Sequence, residues 1–173
     1  MSADELKMLQ APIKQQYRDD PSSALKTMRA EGRVVQDQVH CLVETPTGTI
    51  AAGLHPAAGG DGSWACSGDM LLQALVGCAG TTLAAVATAM GVVLKRATVS
   101  AEGDLDFRGT LGVSKETPVG FREIRMNFAI DADAPHEQLE TLVKLAKRYC
   151  VVWQTLAQRP ETLATTLNGQ PAK

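Results

Sequence analysis

From Met70 to Met90 the chain holds apolar or small residues, interrupted only by Gln73, Thr81, Thr82 and Thr88. Such a stretch has two physical solutions. At ~1.5 Å per residue it is long enough to cross a bilayer. A helix that is apolar all round can equally be the central helix of a soluble domain, wrapped by other elements. The run is rich in Ala, Gly and Thr, lacks aromatic or basic anchors at its start and begins beside Asp69, which favours the buried soluble helix. The remainder of the chain must then supply amphipathic elements to cover it.

Those elements are present. Odd positions from Ala97 to Phe107 are apolar or small while Thr98, Ser100, Glu102, Asp104 and Asp106 alternate with them, the period of a half-buried strand. Glu123 to Asp131 repeats the alternation, with Ile124, Met126, Phe128 and Ile130 on one face. The two are expected to form a long antiparallel pair across a loop near residues 108 to 120, where Pro118 and Gly120 sit. Arg33 to Val43 and Thr49 to Leu54 flank Thr45-Pro46-Thr47-Gly48 and read as a hairpin, and a last strand is expected over Thr162 to Leu167. Asp133 and Pro135 open a helix on which Leu139, Leu142, Val143, Ala146 and Tyr149 recur at helical spacing. It ends near Lys147-Arg148, and helix resumes from Val151 to Leu156. Upstream, Leu6 to Leu9 and Ile13 suggest an amphipathic helix broken at Pro12, and Ser22 is placed to cap a short helix over Ala24 to Glu31 that stops at Gly32. The division is therefore an N-terminal helical appendage over residues 1–32 and a domain over 33–173.

With a formal net charge of −2 and a pI near 5.9, the chain has no basic field to draw it to phosphate backbones or anionic lipid. Neither nucleic acid nor membrane is an expected partner. Met1-Ser2-Ala3-Asp4-Glu5 does not open a basic-then-apolar leader, so the cytoplasm is the expected compartment. Four cysteines without C-x-x-C or C-x-x-H spacing fit neither a secreted disulfide framework nor a zinc site. Gly59-Gly60-Asp61-Gly62 lacks the following Gly-Lys-Ser/Thr of a phosphate loop and reads as a mobile surface loop. His40, His55 and His136 fall in a strand, a loop and a first helical turn without a partner motif, which favours solvated or structural roles.

The order of elements, with Leu71-Leu72-Gln73-Ala74-Leu75-Val76-Gly77-Cys78 on the apolar helix, Gly103-Asp104-Leu105-Asp106 in a strand and Arg148-Tyr149-Cys150-Val151-Val152 at a helix end, resembles the OsmC/Ohr family over roughly residues 33 to 168. The resemblance implies an α+β fold in which two antiparallel sheets enclose long buried central helices in an intertwined homodimer. It also implies thiol-dependent reduction of organic hydroperoxides: Cys78 attacks the peroxide, Cys150 resolves the sulfenic acid, and an external dithiol restores both, with no bound cofactor or metal.

Chemistry sets a condition on that scheme. A peroxidatic cysteine acts as thiolate, whereas apolar burial pushes its pKa up unless a cation or hydrogen-bond donors compensate. With Ser67 as cap, Cys78 lies too deep in its helix for the N-terminal dipole to help. The family places an arginine before this helix and an orienting glutamate at its entrance, but Val34 through Leu94 contains no Lys or Arg. The glutamate position falls on Gly68, leaving Asp69 to serve one residue later or merely to stabilise the helix start; Arg29, Arg33 and Arg148 are candidates for the missing charge. The family's Cys-Pro-Val-Ser is here Cys150-Val151-Val152-Trp153, where Trp153 is either core or the mouth of an apolar pocket. Cys41 and Cys66 have no counterpart and read as buried small hydrophobes. Two functions follow: a peroxidase using Cys78, Cys150 and Asp69, or a non-catalytic dimer that binds an apolar small molecule at the subunit interface.

Overall fold

A computed structural model describes residues 1–158 and two short strands, Thr166–Leu167 and Gln170–Pro171. The apolar run forms α2 (Ser67–Met90), which Cys66 caps in place of Ser67 and which Gly91 ends in the left-handed conformation, φ 68°. One face of α2, formed by Leu75, Ala79, Leu83 and Ala87, is buried. Against it lie β5 (Leu94–Asp104) and β6 (Glu123–Ala132), the expected antiparallel pair, with Val99 opposite Phe128 and Ala101 opposite Met126. The polar faces of these strands carry Arg125, whose Nη2 donates to Asp104 Oδ1 at 2.9 Å, with Glu102 and Glu123 beside it. Between the strands, Asp106 caps the single turn α3 (Phe107–Thr110). Helix α4 (His136–Tyr149) lays Leu142 and Ala146 on Leu83 and Ala87 to complete the main core.

The expected hairpin is β2 (His40–Thr45) with β3 (Gly48–Gly53), but its first arm is divided. Gln36–Gln38 form a 3-10 turn, and Val39 takes φ 52° and ψ 48°, so a separate β1 (Gly32–Val35) precedes it. A β-branched residue in that region is strained, and no glycine announces the break. The sheet runs β1-β2-β3-β4, where β4 (Ala65–Cys66) pairs parallel to β3 and makes it mixed rather than purely antiparallel. The glycine loop before β4 packs closely, since a Cβ on Gly60 would stand 1.9 Å from the Leu54 carbonyl oxygen.

Three expectations change. First, α1 (Ala3–Asp19) runs unbroken through Pro12, because the Met8 carbonyl that loses its N–H partner is on an exposed turn where water can replace it. Second, the helix expected over Ala24 to Glu31 is absent: the Asp20 carboxylate takes the Ser22 N–H at 3.1 Å and its hydroxyl at 2.6 Å, forming a 3-10 turn at Pro21–Ala24 that ends with Leu25 extended. Third, β5 stops at Asp104, so Leu105 to Phe107 are not strand and Phe107 opens α3. As expected of a helix shared with a second copy, α2 is not enclosed by its own chain and leaves Gly77, Thr81 and Ala84 exposed. Of the strand expected over Thr162 to Leu167, Thr166–Leu167 is strand and residues 162–165 lie outside the described residues.

Candidate active site

The site is built where α4 breaks. Cys150 leaves the helix at φ −76° and ψ 107°, and α5 (Val151–Gln158) starts immediately after it. The first N–H groups of any helix have no partner within it. Here they turn to sulfur. Trp153 N–H donates to Cys150 Sγ at 3.4 Å, while the backbone N–H groups of Val152 and Val151 act on the Cys78 thiol and lower it. The Cys150 carbonyl accepts from Gln154 N–H at 3.0 Å, which closes the first turn of α5. Cys78, midway along α2, thus lies at the positive end of a different helix.

Both thiols are free, and each shifts the titration of the other. Burial pushes the Cys78 thiol up, but the Val152 N–H, the Cys150 thiol, the Val151 N–H and the Thr82 hydroxyl together hold it below the ordinary value. Thr82 counts least, because its single proton is also directed at the Cys78 carbonyl, 2.8 Å away. Cys150 is fully buried and moves the opposite way: burial raises it, the Trp153 N–H opposes, and donation to Cys78 and the Cys78 charge raise it further. The arrangement favours loss of the proton from Cys78 ahead of Cys150. Among the described residues, no ammonium or guanidinium contributes to the Cys78 shift. The cation that burial seemed to require is replaced by backbone dipoles.

Around the pair, Leu75, Ala79, Ile124, Met126, Trp153 and Leu156 form an apolar shell. A cavity of about 300 Å³ shares Leu75, Ile124, Trp153 and Leu156 with that shell and is also lined by Phe121, Arg122 and Glu123; neither cysteine is on its wall. Trp153 therefore does both things expected of it, packing on the thiol cluster and walling a pocket.

A sequence model of the OsmC-like protein family matches residues 60–165. The chain belongs to the OsmC-like family. Among solved structures, an OsmC-like protein from Mycoplasma pneumoniae superposes with a TM-score of 0.65 at 15% identity, covering 78% of this chain and 89% of its own. An organic hydroperoxide resistance protein OsmC from Legionella pneumophila gives 0.59 at 17% identity, covering 78% and 91%. OhrB of Bacillus subtilis, an organic hydroperoxide resistance protein, gives 0.52 at 16%, covering 78% and 93%. These likenesses establish the α+β OsmC/Ohr fold. No curated protein matches this chain by sequence.

The remaining candidates of this OsmC-like chain lie elsewhere. Asp69 is in the first turn of α2, roughly 13 Å from Cys78 along the helix at 1.5 Å per residue, so one chain does not bring it to the thiols. It lines a second cavity of about 340 Å³ with His55, Cys66, Phe107 and Phe121, and Gly68 lies there too. His55 accepts the Ala57 N–H on Nδ1 at 3.0 Å and stacks on Phe107; His40 stacks on Trp64 at 4.4 Å; His136 is 3.2 Å from Glu140. Cys41 and Cys66 are half-buried rather than buried. Arg148 lies over Tyr149, 5.6 Å from the ring centroid. The N–H donors of Val151 and Val152 are the functional groups that residue-type reasoning missed. Their signal was the interruption of helical periodicity at Cys150.

Proposed function

We propose that the protein reduces organic hydroperoxides through Cys78 and Cys150. The observation that carries this reading is the unequal treatment of two neighbouring thiols: donors from α5 lower Cys78, while burial and the Cys78 charge raise Cys150. A low-pKa thiol attacks, and a protonated neighbour waits to resolve. The Cys78 thiolate attacks the outer peroxide oxygen, the O–O bond breaks, and the alkoxide leaves as alcohol after taking a proton. Cys150 sulfur then attacks the Cys78 sulfenic acid, its proton leaving with the hydroxyl as water, and the resulting disulfide is returned to two thiols by an external dithiol that is itself oxidised. The apolar cavity beside the pair accepts the alkyl group, which favours a bulky hydroperoxide over hydrogen peroxide.

The working unit in this proposal is a homodimer in the cytoplasm. The accessible surface of the chain is 13087 Å², against about 8,200 Å² for a compact monomer of this mass. The bare face of α2 and the exposed Val34, Val39 and Ile50 of the N-terminal sheet are surfaces for a second copy to cover. Light scattering is expected to give a dimer at micromolar concentration, and a folded monomer there would contradict this.

The activity is tested by the asymmetry of two variants. Cys78→Ser is expected to abolish hydroperoxide consumption, whereas Cys150→Ser gives one stoichiometric turnover and then stalls at the sulfenic acid or its over-oxidised products. Absence of any burst in Cys150→Ser would favour the binding-protein reading.

A further inference from the structure

One lysine is built into this corner in a way that neither solubility nor helix polarity requires. Lys147 is half-buried in the last turn of α4, and its Nζ lies 4.7 Å from the centroid of the Trp153 ring. Its backbone carbonyl accepts a 3.0 Å hydrogen bond from Gln154 Nε2. The same residue thus ties α4 to α5 twice across the break at Cys150, once through its ammonium and once through its carbonyl. The indole beneath it packs on the cluster of Leu75, Ala79 and Cys150, and the same side chain walls the apolar cavity. A cation over an indole is attracted by the negative face of the ring, and partial burial strengthens the attraction.

We infer that Lys147 is a positioning residue: its ammonium holds the Trp153 indole in place as the wall of the cavity beside Cys78 and Cys150, and so sets how tightly an apolar group is held there. The ordinary role of a lysine at this point is to face the negative end of α4. The adjacent Arg148 meets that need equally well, and a dipole role would not place the ammonium over Trp153. Lys147 needs no contact with the peroxide; it acts through the ring. The inference rests on the peroxide-reducing reading for its kinetic test only, because the cavity wall exists whatever the pocket binds.

The chain has two tryptophans, so a Trp64→Phe background leaves Trp153 as the sole indole reporter. In that background Lys147→Gln is expected to shift Trp153 emission and to raise KM for an alkyl hydroperoxide about fivefold, with kcat changed less than about twofold. Lys147→Arg, which keeps a cation for the ring, restores both. Affinity for the corresponding alcohol, which cannot be reduced by the thiols, falls by the same factor in Lys147→Gln. Lys147→Met, which keeps most of the apolar stem, behaves as Gln and stands in for it should Gln unfold the protein. Unchanged emission and unchanged alcohol affinity in the folded Gln or Met variant would overturn the inference, as would failure of Arg to restore them. If no variant consumes hydroperoxide while alcohol affinity and emission still follow the series, the peroxide reading fails and the role of Lys147 stands.

Discussion

The cap and the middle of α2 treat their cysteines differently. Cys66 occupies the cap of α2, beside Asp69 and His55, where the unpaired N–H groups of the helix begin. Cys78 lies far into the helix body, where its own backbone N–H groups are already engaged. Judged by position on α2, Cys66 has the better electrostatic setting. The hydrogen bonds run the other way. Cys66 makes no capping bond, whereas Cys78 draws the first two N–H groups of α5 and the thiol of Cys150. What matters to a thiol here is which helix end another segment aims at it. A proline after Cys150 would have no N–H to give; Val151 has one.

That contrast breaks most directly on the cysteines themselves. Cys66→Ser is expected to leave hydroperoxide turnover within about twofold, while Cys78→Ser removes it. Equal losses would mean that the helix-entrance corner takes part in the chemistry. Next in size is the effect of Val151→Pro. Cys150 already has the extended backbone that a following proline demands, and a proline is tolerated in the first turn of a helix, so the variant deletes one donor without breaking α5. A typical hydrogen bond contributes about 0.5–1.5 kcal/mol, so alkylation of Cys78 at neutral pH should slow roughly twofold to tenfold. Proline leaving that rate unchanged would count against donation from α5.

Smaller still is the pH dependence. Because the Cys78 value is lowered, its thiolate fraction rises as pH increases through that value and levels off earlier than it would for a thiol titrating in the ordinary range. Activity should follow the same curve, and a rate still climbing steeply above that range would contradict it. Smallest is Asp69→Asn. A first-turn carboxylate on an exposed helix end contributes about 0.3–1 kcal/mol, so the variant should melt slightly earlier with turnover changed less than about twofold. A tenfold loss of turnover would return Asp69 to the catalytic site, reached from a second copy.

The parts legible in the sequence were those set by periodicity. Alternation over Ala97 to Phe107 and Glu123 to Asp131 locates β5 and β6 and their inward faces, and helical spacing from Leu139 to Tyr149 locates α4. The pairing of Cys78 with Cys150 came from family likeness alone, since their separation along the chain carries no distance. Legibility failed where a local choice had near-equal alternatives. Asp20 outcompeted Ser22 as a cap and replaced a helix with a turn, and Val39 adopted a conformation that its side chain disfavours. The activation of Cys78 was hidden for another reason. A search for cationic side chains passes over backbone N–H groups, which carry no residue-type signature and become donors only once the break at Cys150 aims them.

The central claim is that Cys78 is the low-pKa thiol of the pair and Cys150 the high one, without a cation from the same chain. Iodoacetamide alkylation of the Cys41→Ser/Cys66→Ser protein, followed residue by residue across pH by peptide mass, measures both values in one experiment. Cys78 is expected to react with a midpoint below that of an ordinary thiol and Cys150 with a midpoint above it. A Cys78 midpoint at or above that of Cys150 would contradict it.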